Sequence, residues 1–265
     1  MTADIIMVLC VSLSFHYVNR WGEAWAWNAG LYRQNTSGYL IPTSVAFPTI
    51  LLQGLMLLSL GGAAVLPAAA GLLFAGVGLY DDSCGCRDLQ QRSIKGWRGH
   101  LGALWAGQLT SGAVKVFVGG GGALLLASLL APGAPVFVAR DALVVALSAS
   151  VANAFDVRRG RAGKILLLGF AALMASNPGP VSILFVLPVL VFLLKDLPGQ
   201  VMMGDAGANG WGAMLGAAVV VSSPPTVRWA MLAVLVVLQV AAETVTLSRI
   251  IQNCRVLCVL DEIGS

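Results

Sequence analysis

Charged side chains are scarce in this chain of 265 residues: Asp, Glu, Lys and Arg together make up 11% of it. Soluble globular domains carry about a quarter charged residues, so the shortage excludes a water-soluble enzyme. Five cysteines in a chain of this length also exclude a small domain held together by disulfides. Hydrophobic residues make up 58% and the mean hydropathy is +0.84, which excludes a disordered chain and indicates a polytopic membrane protein.

Long runs without a charged residue locate the predicted membrane spans. A helix that crosses a bilayer core of about 30 Å needs roughly 20 mostly apolar residues. The run 34–80 is too long for one helix and turns back at Gly61-Gly62, and the run 165–194 is interrupted by the Asn-Pro-Gly-Pro sequence that begins at residue 177. The prediction is an all-α polytopic bundle in a single domain, 1–265, with nine helices, or ten if the tail inserts. The predicted helices cover about 3–19, 43–60, 63–80, 112–131, 138–154, 162–176, 181–196, 209–222 and 227–247.

The nine-helix topology divides the positive charges unevenly between the two membrane faces. Of the 16 lysines and arginines, all but Arg140 and Arg228 fall on one side. Because Lys and Arg concentrate in cytoplasmic loops, that side is predicted to be cytoplasmic and the N-terminus to lie outside. Residues 246–265 alternate apolar and charged side chains, which predicts a cytoplasmic tail lying along the membrane surface.

Most aspartates also fall on the predicted cytoplasmic side, near helix ends. We interpret Asp88 and Asp196 as ordinary solvated residues of loop ends. Asp81 and Asp82 close the third predicted helix, and because adjacent carboxylates repel each other they need a cation or basic neighbours. Mg²⁺ held by carboxylates together with substrate phosphates would meet that need. Taken alone, such a pair is more often a solvated helix end.

Two further clusters place basic residues beside glycines or polar side chains. A Lys-Gly-Trp-Arg-Gly-His segment begins at Lys95 and ends at His100. It suits the binding of an oligophosphate at a helix N-terminus, although an ordinary basic loop explains the same residues equally well. Asn153 and Asp156 lie three residues apart, on one face of a helix end. Four cations follow within eight residues, and together they predict a rim that attracts anions: Arg158, Arg159, Arg161 and Lys164.

The last motif is a glycine-rich loop over 203–210, Met-Gly-Asp-Ala-Gly-Ala-Asn-Gly, that opens an apolar helix. Backbone N–H groups at such a start can meet phosphate while Asp205 holds a metal ion. The candidate phosphate-binding positions are Gly204, Gly207 and Asn209. Each cluster taken singly could be a plain loop, but acids beside bases on one face favour a common site.

The order Asp-Asp, Asn-x-x-Asp and Gly-Asp-x-Gly, each at the cytoplasmic end of a span, resembles the polyprenyl-phosphate N-acetylhexosamine-1-phosphate transferases. This is glycosyltransferase family 4, which includes phospho-N-acetylmuramoyl-pentapeptide transferase, and the resemblance runs from about residue 30 to the end. It implies transfer of a sugar 1-phosphate, of the N-acetylhexosamine type, from a UDP-sugar to polyprenyl phosphate, with release of UMP for cell-envelope glycan synthesis. It further implies Mg²⁺ as cofactor (Mn²⁺ as a substitute), a prokaryotic cytoplasmic membrane with the active site on its cytoplasmic face, a homodimer, and no nucleic-acid partner.

The resemblance also implies roles for individual residues. Asp81, Asp82 and Asp156 are the catalytic candidates, the first two implicated in handling the lipid phosphate. Asp205 matches the Mg²⁺-binding aspartate, and Lys95 matches a phosphate-contacting lysine. More loosely, residues 35–38 with 41–42 resemble the loop before the second helix. The other candidate substrate-binding residues are His100, Asn153, Arg158, Arg159, Arg161, Gly204, Gly207 and Asn209.

The chain departs from the family pattern at the sugar-nucleotide end of the site. The better-known members continue Asn-x-x-Asp as Asp-Gly-x-Asp, whereas Arg159 stands here in place of the second aspartate. They also carry a histidine-rich cytoplasmic loop before the last helix, whereas no histidine follows His100 in this sequence. We hypothesise that Arg159 contacts a different sugar acid or the diphosphate.

Two other functions are considered beside the transferase. An ion-coupled transporter would place carboxylates at mid-membrane depth, where Glu243 is the candidate. An inactive relative acting as a membrane scaffold would be expected to lose some of the four site aspartates, and all four are present.

Overall fold

The computed structural model describes residues 2–35, 38–87, 110–130, 132–244, 251–252 and 255–262, together with 102, 103, 105 and 107. Most of these residues lie in helices. In chain order the elements are α1 (Thr2–Asn28), β1 (Tyr32–Gln34), β2 (Leu40–Pro42), α2 (Phe47–Leu60), a 3₁₀ turn (Gly62–Ala64), α3 (Val65–Arg87), α4 (Ser111–Leu130, with a π-helical turn at Lys115–Gly119), α5 (Pro135–Phe155), α6 (Arg161–Ser176), α7 (Pro180–Asp196), α8 (Gly204–Ser222), α9 (Pro225–Thr244) and α10 (Arg255–Glu262).

The helices confirm an all-α membrane protein. Within the described residues, four helical segments are long and apolar enough to cross a bilayer, and α2 is a shorter apolar helix. The four are Gly62–Cys86, Ser111–Leu130, Pro135–Phe155 and Pro225–Thr244. The total of nine or ten membrane spans and the orientation of the N-terminus stay predictions.

Three predicted boundaries are wrong in ways that affect the site. α1 continues to Asn28 instead of ending near residue 19, and α3 continues to Arg87 instead of ending at Tyr80. The segment predicted as a glycine-rich loop is helical from Gly204 onward. In each case the helix extends into polar sequence that lacks proline, and charge alone does not end a helix. Asp81 and Asp82 therefore lie within α3.

A two-stranded hairpin precedes α2 and departs from the predicted purely helical composition. β1 and β2 pair antiparallel, with Tyr32 opposite Pro42 and Gln34 opposite Leu40. The Met202 backbone N–H donates to the Pro42 carbonyl at 2.8 Å, which ties the hairpin to the segment before α8. The hairpin thereby lies beside the start of α8, and Arg33 projects from its first strand.

The core of the bundle forms around α8, which packs against α3 and α5. Its small residues are buried along almost the whole helix. A Cβ at Gly212 would lie 2.6 Å from the Ser148 carbonyl oxygen, and one at Gly216 would lie 2.9 Å from the Val144 carbonyl oxygen. Glycine at these positions lets the two backbones touch, as small residues do between membrane helices.

Polar side chains inside the bundle are paired with one another. The Trp211 indole N–H donates to Gln53 Oε1 at 2.8 Å, and Gln53 Nε2 donates to the Leu184 carbonyl at 2.7 Å. Both side chains are buried. Because unpaired polar groups are costly in an apolar interior, these bonds help to fix α2, α7 and α8 relative to one another.

Candidate active site

A lysine lies between two aspartates where α3, α4 and α8 meet. Lys115 Nζ is 3.3 Å from Asp81 Oδ2 and 2.5 Å from Asp205 Oδ2. All three side chains are partly exposed, at 22–23%. Thr110 positions the lysine by capping α4, since its hydroxyl accepts a hydrogen bond from the Ala113 N–H at 3.2 Å.

Lys115 is the site residue that the sequence analysis missed, because it was counted only among the cytoplasmic cations. A signal was available: this lysine stands alone at the beginning of the charge-free run 116–139. Ionisable residues within membrane helices are costly and tend to face a partner or a functional cavity. A lone cation one turn inside an apolar helix therefore predicts a buried acidic partner.

Asp82 is completely buried and joins the hairpin to the start of α8. Its Oδ2 accepts hydrogen bonds from the Ser44 hydroxyl at 2.5 Å and the Ala206 N–H at 3.1 Å. Its Oδ1 is 3.1 Å from the Arg33 guanidinium. Burial lowers the pKa of Arg33, but Asp82, Cys86 and Asp205 together outweigh burial, so the pKa of Arg33 lies above its ordinary value. The N–H of Ala206, in the first turn of α8, is thus taken up by Asp82.

Two glycines let α3 and the start of α8 approach this closely. A Cβ at Gly78 would lie 2.3 Å from the Asp205 carbonyl oxygen. Gly204 has a φ of +69°, and a Cβ there would lie 2.6 Å from Asp82 Oδ2. Any side chain at either position would push the aspartates apart.

The other two glycine-loop candidates contact protein atoms in the structure. A Cβ at Gly207 would lie 2.7 Å from the Ala46 Cβ, so this glycine packs against the start of α2. Asn209 is 2% exposed, and its Nδ2 donates to the Asp205 carbonyl at 2.6 Å. Both residues shape the first turns of α8; their part in substrate binding stays a prediction.

Asp156 adds a fourth carboxylate from the end of α5. Its backbone N–H donates to the Asn153 carbonyl at 3.0 Å, closing the helix. Burial raises the pKa of Asp156 well above its ordinary value, and the negative charges of Asp196, Asp205 and Asp82 raise it further. The Gly204 N–H, which hydrogen-bonds this carboxyl, acts in the opposite direction. Asp156 is therefore electrostatically part of the same cluster.

The cluster is suited to a divalent cation. Within the described residues, the cations in contact with its four aspartates are Arg33 and Lys115, which leaves an excess of negative charge. Among those residues no group of three or more His, Cys, Asp or Glu side chains forms a closed metal site. Mg²⁺ commonly binds through one or two carboxylates plus waters and substrate phosphates. Asp81 and Asp205, whose oxygens already share one cation, fit that mode of binding.

The Arg-rich turn between α5 and α6 holds the tail helix α10. Arg161 donates from Nε and an Nη to the two carboxylate oxygens of Asp261, at 2.6 and 2.7 Å. Lys164 Nζ donates to the Asp261 carbonyl at 2.9 Å, and Arg158 Nη1 to its carboxylate at 3.3 Å. The hydrogen bonds from Arg161 lower the pKa of Asp261 below its ordinary value. Arg161 is 2% exposed, whereas the Arg158 side chain is 46% exposed.

The interpretation of Asp196 as a solvated loop end is wrong. Asp196 is 4% exposed, and its Oδ2 accepts a hydrogen bond from the Gly160 N–H at 3.2 Å. Gly160 has a φ of +67°, so this bond fixes the left-handed residue at the end of the Arg-rich turn. Arg159, in the same turn, lies against Gly199.

Some predicted site residues lie outside the described part of the chain. These are Lys95 and His100, and also residues 36–37 of the predicted loop before the second helix. Asn35, at the edge of that loop, accepts a hydrogen bond from the Tyr39 N–H at 2.9 Å. The contacts of the basic segment with the aspartate cluster remain predictions.

Comparison of the chain with protein-family models and with curated protein sequences gives no match. The functional assignment therefore depends on the residues of the site and their geometry.

Proposed function

We propose that this protein is a Mg²⁺-dependent membrane phosphoglycosyl transferase. It would transfer a sugar 1-phosphate from a UDP-sugar to polyprenyl phosphate, giving polyprenyl-diphospho-sugar and UMP. The observation that supports this most strongly is the meeting of Asp81 and Asp205 on Lys115, with Asp82 and Asp156 beside them, at one end of an apolar bundle. A charged site at the edge of a bilayer can receive a lipid sideways from the membrane and a nucleotide from water.

The topology in this proposal has nine spans, with the N-terminus outside and the site on the cytoplasmic face of a prokaryotic membrane. Within the described residues, nine helices have 14 residues or more. The connections 61–64, 156–160, 177–179 and 223–224 are short, which favours antiparallel neighbours. The uneven distribution of Lys and Arg supports the orientation.

The two adjacent aspartates receive different roles. Asp82 is fully buried and held by Arg33, Ser44 and the start of α8, so we assign it to positioning. Asp81 is partly exposed and its carboxylate pairs with Lys115, so it would reach the lipid phosphate. Asp81 would orient that phosphate, or deprotonate it. A covalent aspartyl-phosphate intermediate is the alternative, and both routes use the same residue.

The reaction joins two anions, so cations must offset their repulsion. An oxygen of the lipid phosphate forms a bond to the sugar-bearing phosphorus of the donor, and the bond from that phosphorus to UMP breaks. Lys115 would keep Asp81 and Asp205 in place beside the reacting phosphates. Bound Mg²⁺ would neutralise the diphosphate and the departing UMP. Arg158, whose side chain is exposed, would face the donor, whereas Arg161 would fix the turn through Asp261.

The direct test is Mg²⁺-dependent UMP release by the purified full-length protein. The substrates are undecaprenyl phosphate and a panel of UDP-N-acetylhexosamines. We expect release from one donor and its loss in Asp205→Asn. Glu243→Gln is the matched control: Glu243 is an exposed carboxylate near the end of α9. This variant should keep full activity, whereas a transporter that uses Glu243 for ion coupling would lose its function.

Failure of this test would redirect the assignment. If folded protein released no nucleoside monophosphate from any UDP-sugar or other nucleotide sugar while a reference enzyme worked in the same assay, the transferase would be rejected. The membrane scaffold would then become the leading function.

A further inference from the structure

A second cluster of charges lies at the end of the bundle opposite the aspartates. Arg140 Nε donates to Asp141 Oδ1 at 2.8 Å, and Arg228 Nη1 donates to Asp141 Oδ2 at 3.1 Å. Arg140 lies sixteen positions before Asp156, the residue that ends α5, which corresponds to about 24 Å at 1.5 Å per residue. These two arginines are the ones that the nine-span topology places on the otherwise cation-free face.

The positive charge of this cluster exceeds its negative charge, and its hydrogen-bond donors outnumber the protein acceptors they contact. Two guanidinium groups share the single carboxylate of Asp141, and Arg228 Nε uses the Ser223 carbonyl at 2.8 Å. Arg140 is 3% exposed, and among the described residues its Nη1 has no hydrogen-bond partner. A buried charged donor without an acceptor is costly, and such a group calls for an unrecorded partner. The partner that would complete this cluster is an anion with oxygen acceptors.

The surroundings of the cluster are those of a lipid-facing surface. α9, which carries Arg228, has few buried residues along its length. The Arg140 guanidinium lies 5.2 Å from the Phe137 ring centroid and 5.4 Å from that of Trp229. Phe137 and Trp229 are 45% and 43% exposed, and the Arg228 side chain is partly exposed. Exposed aromatic rings next to a cation are typical of the level of lipid head groups.

We propose that Arg140 and Arg228 bind the phosphate of an anionic phospholipid head group. Guanidinium groups bind phosphate oxygens through paired hydrogen bonds, and Arg228 offers its exposed edge to such a ligand. Arg140 lies against the Trp229 ring and has its unpartnered Nη1 in the same cluster as Arg228, so it would donate to the same phosphate. The apolar rings would contact the glycerol and upper acyl chains, which inorganic phosphate lacks. The site is independent of the proposed transferase activity.

The test is binding to delipidated full-length protein in a neutral detergent, measured by native mass spectrometry and by thermal shift. The probes are phosphatidylglycerol, phosphatidylcholine and inorganic phosphate. We expect wild-type protein to prefer phosphatidylglycerol by about tenfold over phosphatidylcholine, since the cluster's extra positive charge disfavours a zwitterionic head group. Arg228→Gln should lose this preference. The control Arg20→Gln, at an exposed arginine of α1, should keep it.

Three outcomes would overturn the proposal. The first is an unchanged lipid preference in Arg228→Gln, and the second is a loss of preference in Arg20→Gln as well. The third is equal stabilisation by inorganic phosphate, which would show that no lipid is recognised. If Arg228→Gln does not fold, Arg228→Lys retains a cation for Asp141 without the guanidinium fork. Its preference should fall below that of wild type, and full retention would also overturn the proposal.

Discussion

A single methyl group at position 78 should separate the two helices that carry the aspartates. The Cβ of Gly78→Ala would lie 2.3 Å from the Asp205 carbonyl oxygen, 2.5 Å from its carbonyl carbon and 2.7 Å from the Ala206 Cα. All three are backbone atoms, so no side-chain rotation can relieve the overlap. Since ordinary van der Waals contacts begin at 3.4 Å, α3 and α8 would have to move apart by about 1 Å.

The expected cost follows from two opposing effects. Overpacking in a tight interior destabilises by about 1–3 kcal/mol. Replacing glycine by alanine within a helix offsets roughly 0.5–1 kcal/mol of this. We therefore expect a net loss of about 1–2 kcal/mol in the free energy of unfolding. If the transferase assignment is correct, displacing Asp205 from Lys115 by about 1 Å should also lower the rate of UMP release roughly 100-fold.

Gly76 provides a matched control two residues earlier on α3. It is exposed, and a Cβ there would meet no atom within 4 Å. Gly76→Ala should keep its activity and be equally stable or slightly more stable, because only the helix propensity changes. Thermal unfolding in detergent and UMP release, measured on the same preparations, compare the two variants. Equal stability and activity in both would refute the idea that contact between α3 and α8 at Gly78 holds the site together.

Three further predictions concern single charged residues. Lys115→Met leaves two facing carboxylates without their shared ammonium, so UMP release should fall by about 100-fold or more. The melting temperature of this variant should depend more steeply on the Mg²⁺ concentration than that of wild type. An unchanged Mg²⁺ dependence would contradict the bridging role of Lys115. The pKa of Asp156 is raised in the folded state, so its ionisation opposes folding above the unfolded value of about 3.9. Asp156→Asn should therefore gain stability relative to wild type as the pH rises from 4 to 8, although its activity is lost. If the difference in unfolding free energy between the two proteins does not change with pH, the raised pKa of Asp156 is disproved. Arg161 lowers the pKa of Asp261, so the ionised Asp261 stabilises the docking of α10 at neutral pH. This stabilisation is lost only as the pH falls through the lowered pKa of Asp261. Asp261→Asn should expose residues 255–262 to proteolysis at pH 7, whereas equal protection would show that the ion pairs do not hold the tail.

Features that depend on neighbouring residues could be predicted from the sequence. The membrane class follows from charge-free runs, because burial in lipid requires apolar side chains over a whole helix. Helices α2, α6 and α7 begin and end within a few residues of their predicted bounds, where Gly, Pro and Asn interrupt the apolar runs. Carboxylates beside apolar helices need partners, and this predicts a functional role for Asp81, Asp82, Asp156 and Asp205.

The partners themselves could not be predicted, because they lie far apart in sequence. Lys115 and Asp205 are 90 residues apart, and Arg161 and Asp261 are 100 apart. Which residues meet depends on how each helix is rotated about its axis and how closely it approaches the next. Contacts such as the backbone approach at Gly78 set both quantities.

The sequence by itself determined that this is an apolar helical protein whose charged residues gather near the ends of its apolar runs. Only the tertiary structure decided that Asp82 is buried against α8 while Asp81 shares Lys115 with Asp205. The two aspartates are adjacent in the chain, but successive residues of a helix point about 100° apart. Packing of α3 against α8 therefore buries one carboxylate and leaves the next one facing the site.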